Sequence, residues 1–485
     1  MPIKILVISL YAVTILVIGI LGLRKTRSFV DYFLAGRKVG PWMTAFTYGT
    51  AYFSAVLFIG FAGKIGWGFG YSGLWIAVGN ALLGVLVVWW LMGPRIRKMS
   101  LEYDIHTMAE FFEKRYSSPF LKMFTSAAIF IFLVPYSAAV FIGLSYLFKA
   151  NFGINYSLAL VFMGFFTALY LVLGGYKAMT MIDVFFGIIM CAGVVVLFTS
   201  TLNAGGGLER MTSHLNGIDP ALTDWVGPPG WWPLFSLVFL TSVAPFGMPQ
   251  LVQKFYAIRD KKAIRIGMVA STVFAVLIVG VAYFTGAVTR IFLSPENTPG
   301  AFSNGKPVFD AIMPEFVAQV IPSSLSVVIL LLILAASMST LAALVLVSSS
   351  SIAKDFYAGF VNKNVSDRRL TLMMRILSGI FVLISVVIAY FKPATIVSIL
   401  GISWGAIGSS FLGPFFWGLF SRKMNKAGAV SSAVLGLGTC LVLFVTGLPS
   451  PQAGTIGMIV SFFLNPAVSL FFPSQQQGEL KKNDG

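Results

Sequence analysis

The chain of 485 residues is 57% apolar and 11% charged, about five apolar residues per charged one against roughly two in an average soluble domain, and its net charge is +17. That balance excludes an ordinary soluble enzyme, and without a water-exposed basic domain it excludes nucleic acid as the reason for the charge. Repeated runs of about 20 residues nearly free of charge match the ~30 Å of hydrocarbon that a helix crosses at ~1.5 Å per residue. The 48 Gly, 22 Pro and 45 Phe suit close-packed, interrupted membrane helices rather than a barrel of short alternating strands.

In chain order, thirteen apolar stretches are expected to cross: 3–23, 41–65, 73–93, 120–149, 155–175, 182–202, 232–251, 266–290, 323–350, 371–390, 395–419, 427–447 and 454–472. The first is too long for the apolar part of a signal peptide and lacks a small-residue cleavage site, so it reads as a retained helix. With the N-terminus outside, all 34 Lys and Arg fall on the inner side except Lys4, Lys64, Lys149, Arg210, Arg290, Lys306 and Lys392. Only this orientation satisfies the positive-inside rule, and anionic lipid is the natural partner of the basic side. The outer loops 203–231 and 291–322 are long enough for short helical lids, and the inner tail from 473 is polar.

Two stretches carry helix-breaking features near their middle. The second reads PWMTAFTYGTAYFSAVLFIG, with Gly49 among small and hydroxyl residues, and the seventh reads FLTSVAPFGMPQ, with Pro245, Gly247 and Pro249. A proline removes a backbone donor and clashes with the preceding turn, so free carbonyls and amides are expected at these points. The two lie five stretches apart, as in two repeats of five, and interrupted helices in matching positions point to a transporter site at mid-membrane. An odd number of crossings per repeat makes the repeats inverted.

The ninth stretch contains LAASMSTLAALVLVSSSSIAKDFY. In a helix the carbonyl of Ala336 and the hydroxyls of Ser339 and Thr340 share one face, three neutral oxygens at one place. Carbonyls freed in the second stretch, best assigned to Thr50 and Phe53, would make five. Hydroxyls in membrane helices also bond back to their own i−4 carbonyl or tie helices together. If instead the five converge, they suit a monovalent cation held weakly enough to be released, with sodium the natural candidate. Asp183, at the start of the sixth stretch yet deep enough to count as intramembrane, is either an ionisable functional group or a cap for that helix.

The motif ASMST followed by SSSSIAKDFY, with GGYKAMTMID, FSAVLFIG and GPFFWGLFSRKMNKAGAVSSA, resembles the sodium/solute symporter family of proline, pantothenate, sialic acid and sugar carriers over nearly the whole chain. The resemblance implies an all-α polytopic membrane protein with a five-plus-five inverted-repeat, LeuT-like core, one extra helix before it and two after. The corresponding division is 1–40 for the extra helix and inner loop, 41–202 and 232–419 for the repeats around the outer loop 203–231, 420–472 for the last two helices and 473–485 for the tail. It places the sodium ligands on Thr50, Phe53, Ala336, Ser339 and Thr340. Members with a second sodium have hydroxyls where this chain has Ala342 and Ala343, so one sodium per cycle is expected, with Asp183 an accessory on the ion's exit path.

Between the interrupted helices, Ser54, Leu57, Asn80, Tyr136, Ser137, Thr241, Ser242, Gln250 and Trp404 are the expected solute contacts, Tyr136 because family members place a tyrosine there. Proline carriers have an acidic residue where this chain has Tyr52. The outer-loop stretch GGGLERMTSHLNGIDPALT and IAKDFY are closer to pantothenate-type members. The implied activity is sodium-coupled symport of a small organic solute, an amino acid, a pantothenate-like carboxylate or a sugar, into the cell by alternating access. A proton-coupled carrier of the same fold, with Asp183 titrating, and a solute-sensing receptor are the alternatives. No enzyme is expected: His106 and His214 lie in opposite loops, and no metalloprotease or nucleophile-elbow motif occurs. No cofactor other than the coupling ion and no protein partner is implied.

Overall fold

The computed structural model describes residues 2–24 and 29–472, so the tail expected at 473–485 lies outside the described residues. Continuous apolar sequence gives long helices, and polar residues at their starts fix where they begin. Thr107, Ser118, Asn155, Asp260, Ser366, Thr395 and Asn425 each accept a backbone N–H from the first turn of the helix that follows. Glycines in the left-handed region end two of the helices, Gly153 at φ 68° and Gly206 at φ 73°.

After α1 (Pro2–Arg24), the expected second stretch is two helices. α2 (Pro41–Tyr52) ends where Phe53 turns extended, and α3 (56–69) resumes beyond Ser54. A turn at Gly70, φ 58°, leads into α4 (74–102). Then come α5 (Met108–Tyr116), α6 (Pro119–Phe152) and α7 (Tyr156–Gly205), the last kinked at Gly175 where φ is 61°. The outer loops do carry short helices, α8 (Leu208–Ile218) and, further on, α12 (Phe309–Gln319). The seventh stretch is α9 (Trp231–Val243) and α10 (Pro249–Ala257), bent by 42° across extended Met248. The rest are α11 (Lys261–Ala287), α13 (Ser323–Ser350, helical on to Val361), α14 (Asp367–Phe391), α15 (Ile396–Phe420), α16 (Lys426–Val445) and α17 (Ser450–Phe471).

Among the described residues nine helices are long and apolar enough to cross a membrane, ten with the bent pair, so length and apolarity do not return the expected thirteen. The shortfall is at the interruptions. The apolar segments Leu6–Ile20 and Tyr156–Leu169 are short, α2 stops at its break, and one helical run, Val56–Glu102, passes through two expected crossings. The most apolar windows of α13 and α15 are each 89% buried, against 33% for α14 and α16, so the former pair forms the centre and the latter faces outward.

Two features tie the ends of the broken helices. On the basic face, Val39 just before α2 and Ile258 just after α10 form a parallel bridge: Val39 N–H donates to Ala257 O at 3.1 Å and Arg259 N–H to Val39 O at 3.1 Å. On the opposite face, the buried Asp310 of α12 accepts the Ile396 N–H at the start of α15 at 3.2 Å, while the Lys64 Nζ of α3 lies 3.4 Å from Thr395 Oγ1.

Candidate functional site

The break in α2 is made by side chains. Ala55 N–H would close the helix onto Ala51 O, but it donates to Ser337 Oγ of α13 at 3.1 Å instead, and Val56 N–H turns to Ser54 Oγ at 3.2 Å. Leu57 N–H goes to Ser54 O at 3.0 Å, leaving the Phe53 carbonyl without its helical donor. The last carbonyls of α2 are therefore free to meet α13, which packs beside them. Thr340 Oγ1 stands 3.1 Å from Ala51 O, 3.1 Å from Ala336 O and 3.4 Å from Thr50 O, and Ser339 Oγ donates to Thr50 Oγ1 at 2.8 Å.

Four of the five expected ion ligands, Thr50, Ala336, Ser339 and Thr340, thus converge on one fully buried point. Phe53 lies at the break, its ring stacked on Tyr52 at 4.4 Å, and among the described residues no hydrogen bond links its carbonyl to the cluster. The contact is made by Ala51, which the sequence reading did not name. The helix breaks at Phe53–Ser54 rather than at Gly49, and the carbonyl that meets Thr340 beside that of Thr50 is Ala51's. Asp183 is no helix cap: it lies two turns beyond Gly175, fully buried beside the hydroxyls of Ser339, Thr47 and Thr50, none of them close and aligned enough to make a well-formed hydrogen bond.

The expected solute contacts divide. Ser54, Leu57, Asn80, Tyr136, Thr241 and Trp404 line one small cavity between the broken helices, but Ser137, Ser242 and Gln250 do not. Ser242 Oγ instead donates to Asn80 Oδ1 at 3.1 Å, an interhelical bond. Ser137 is buried without a partner in α6, which runs straight through Pro135, so the proline does not turn that side chain inward. Gln250, the second residue of α10, is buried two residues past Met248.

The sequence reading missed the Tyr52, Val56, Phe61, Tyr283 and Leu400 walls. Tyr52 is the most telling of them. Its hydroxyl donates to Thr241 O at 2.6 Å and its ring stacks on Trp404 at 5.9 Å, so it bridges both interrupted helices and α15. Trp404 in turn meets Tyr136 edge-on at 5.8 Å, and its Nε1–H is buried without a partner. The cavity holds about 30 Å³, one water's share of liquid volume, and no charged side chain lines it. A ligand-sized pocket of ~300 Å³ or more requires these rings to separate.

Lys254, counted from sequence among the inner-side basic residues, is fully buried in α10 with its ammonium 4.9 Å from the Tyr176 ring centre.

A profile described as the Sodium:solute symporter family matches residues 32–436. The chain belongs to that family. It is 29% identical over 481 residues to the osmoregulated proline transporter of Bacillus subtilis (strain 168), covering 96% of this chain and 93% of that one. It is 26% identical over 425 residues to the sodium/pantothenate symporter of Haemophilus influenzae, covering 86% and 85%. Similar relatives are thus transporters and not enzymes, and identities this close do not separate proline from pantothenate types. Among solved structures, a Na+-coupled sialic acid symporter in a substrate-bound, outward-open state superposes with a TM-score of 0.81 at 18% identity over 97% of this chain and 98% of that one. A nucleobase-cation-symport-1 family transporter in a closed conformation superposes at 0.58 with 13% identity, covering 92% and 96%. These likenesses establish a helical transporter fold of the LeuT-like kind.

Proposed function

We propose that this family member is a sodium-coupled symporter that brings a small organic solute across the plasma membrane by alternating access, its inverted repeats 41–202 and 232–419 moving against each other. The observation that carries the reading is the seat of Thr340 Oγ1 among the carbonyl oxygens of Thr50, Ala51 and Ala336, beside Ser339. Neutral hard oxygens, two of them hydroxyls, suit an alkali ion that must leave again. Thr50, Ala336, Ser339, Thr340 and a carbonyl at 51 or 53 are the proposed ligands. Sodium there would join α2 to α13 and favour the arrangement in which the solute cavity opens.

One sodium per cycle follows from Ala342 and Ala343, whose methyl groups offer no oxygen. At about −100 mV one charge contributes roughly 2.3 kcal/mol, enough for about fifty-fold accumulation of a neutral solute before any sodium gradient is added. The N-terminus lies outside and the C-terminus in the cytoplasm, the basic face toward the anionic inner leaflet.

The cavity narrows the solute class. Aromatic faces from Tyr52, Tyr136 and Trp404, with neutral polar groups on Asn80 and Thr241 and no fixed charge, favour a compact neutral or zwitterionic molecule over one of high net charge.

The test is uptake of radiolabelled amino acids, pantothenate and sugars into proteoliposomes at fixed pH, with sodium or choline outside. Sodium should accelerate uptake of one class strongly; equal rates in choline overturn the reading.

A further inference from the structure

Two charged side chains lie fully buried, Asp183 beside the ion cluster and Lys254 against the Tyr176 ring. Both carboxylate oxygens of Asp183 and the ammonium of Lys254 lack a hydrogen-bond partner. They belong to different repeats, Asp183 to α7 and Lys254 to α10. Tyr176, whose ring centre lies 4.9 Å from the ammonium, sits seven residues before Asp183 on the same helix, hence on the same face and about 10 Å along it. Each charge acts on the other, yet no ion pair joins them. A static buried salt bridge would be closed and saturated with hydrogen bonds, because an unpaired buried charge is strongly unfavourable. This pair is open, and its acidic member faces three hydroxyls of the ion cluster, Ser339, Thr47 and Thr50.

We propose that Lys254 is an internal counter-cation that competes with sodium for Asp183, held off toward Tyr176 while the ion is bound and moving onto the carboxylate as the ion leaves. The inference rests on the sodium-symport reading. Loss of sodium leaves Asp183 as an uncompensated anion in a dry interior, which slows release. A tethered cation of the same charge removes that cost without changing the local charge. The lysine stem is four carbons long and flexible, which suits such an exchange. Lys254 also lies in the half-helix that runs from the second break to the Val39–Ile258 bridge, so its movement onto Asp183 would report an empty ion site to the other broken helix.

The test measures sodium-dependent thermal stabilisation of purified protein, together with net sodium-driven uptake and solute exchange at saturating sodium on both sides in proteoliposomes. Lys254→Met removes the competitor: half-saturating sodium should fall by about tenfold or more, and net uptake should slow while exchange, which never requires an empty ion site, persists. Asp183→Asn leaves the ammonium unopposed and should raise half-saturating sodium by about tenfold, and the Asp183→Asn/Lys254→Met double variant should return to within about threefold of wild type. If Lys254→Met does not fold, recovery of the double variant over Asp183→Asn supports the proposal in its place. The proposal is overturned if wild type is sodium-coupled but Lys254→Met alters neither sodium affinity nor the ratio of net uptake to exchange, or if the double variant keeps the full defect of Asp183→Asn. A wild type indifferent to sodium overturns the symport reading and this one together.

Discussion

The ion cluster and the solute cavity share the same broken helix yet are built in opposite ways. At the cluster, α2 and α13 meet through buried hydroxyls, Ser339 Oγ donating to Thr50 Oγ1 and Thr340 Oγ1 reaching the carbonyls of Thr50 and Ala51, so the geometry is already assembled. At the cavity, aromatic rings from five helices close over about 30 Å³, with the Trp404 N–H unsatisfied. A site for a bare ion can be held ready, because the hydroxyls that would bind it bond to carbonyls in the meantime. A site for a larger molecule must open by moving whole helices. On the sodium-symport reading, selectivity for the ion would reside in fixed oxygens, and that for the solute in what the rings admit once they part.

The largest expected effect breaks the assembled half. Ser339→Ala with Thr340→Ala removes both hydroxyls and should raise half-saturating sodium for uptake by about a hundredfold, a loss of about 2.7 kcal/mol; unchanged sodium dependence would collapse the distinction drawn above. On the other side, Trp404→Phe keeps the ring but removes the orphaned N–H. Solute affinity should fall about tenfold, while sodium stabilisation without solute stays within about twofold of wild type. A loss of both would mean the two regions are one site.

Smaller effects sharpen the boundary between them. Ser337→Ala strips the Ala55 amide of its acceptor and should lower stability by about 1 kcal/mol or more, read as a fall in melting temperature in detergent. A pH effect is expected at the face opposite the basic one. Burial pushes Asp310 up to about 6, against the pull of the Ile396 amide and of Lys64. The folded state thus holds a proton that the unfolded chain, with a carboxyl near the ordinary ~3.9, has lost, so stability should rise as pH falls from about 6 to 4 and stay level above that range. Asp310→Asn should flatten this trend in melting temperature against pH without moving half-saturating sodium.

The two regions also differ in how far the sequence exposes them. Ala336, Ser339 and Thr340 fall on one face by helical register alone, which is local, and Pro245 with Pro249 marks the second break. The first break lies later than the small residues around Gly49 suggest because Ser337, almost three hundred positions away, captures the Ala55 amide. Register along one helix cannot supply such a partner. The cavity walls come from α2, α3, α4, α6, α9, α11 and α15, and only their packing determines that Tyr283 and Leu400 face inward while Ser137 does not. Lys254, within the basic run QKFYAIRDKK, looks like one more membrane-surface charge until the fold buries it.

The bridge between Val39 and Ile258 fastens the basic-side ends of both broken helices by main-chain groups alone. Every residue except proline carries the same donor and acceptor, so this fastening survives wholesale replacement of the side chains around it and leaves no trace in an alignment. Any opening on the basic face that spreads those ends has to unzip this main-chain pin first.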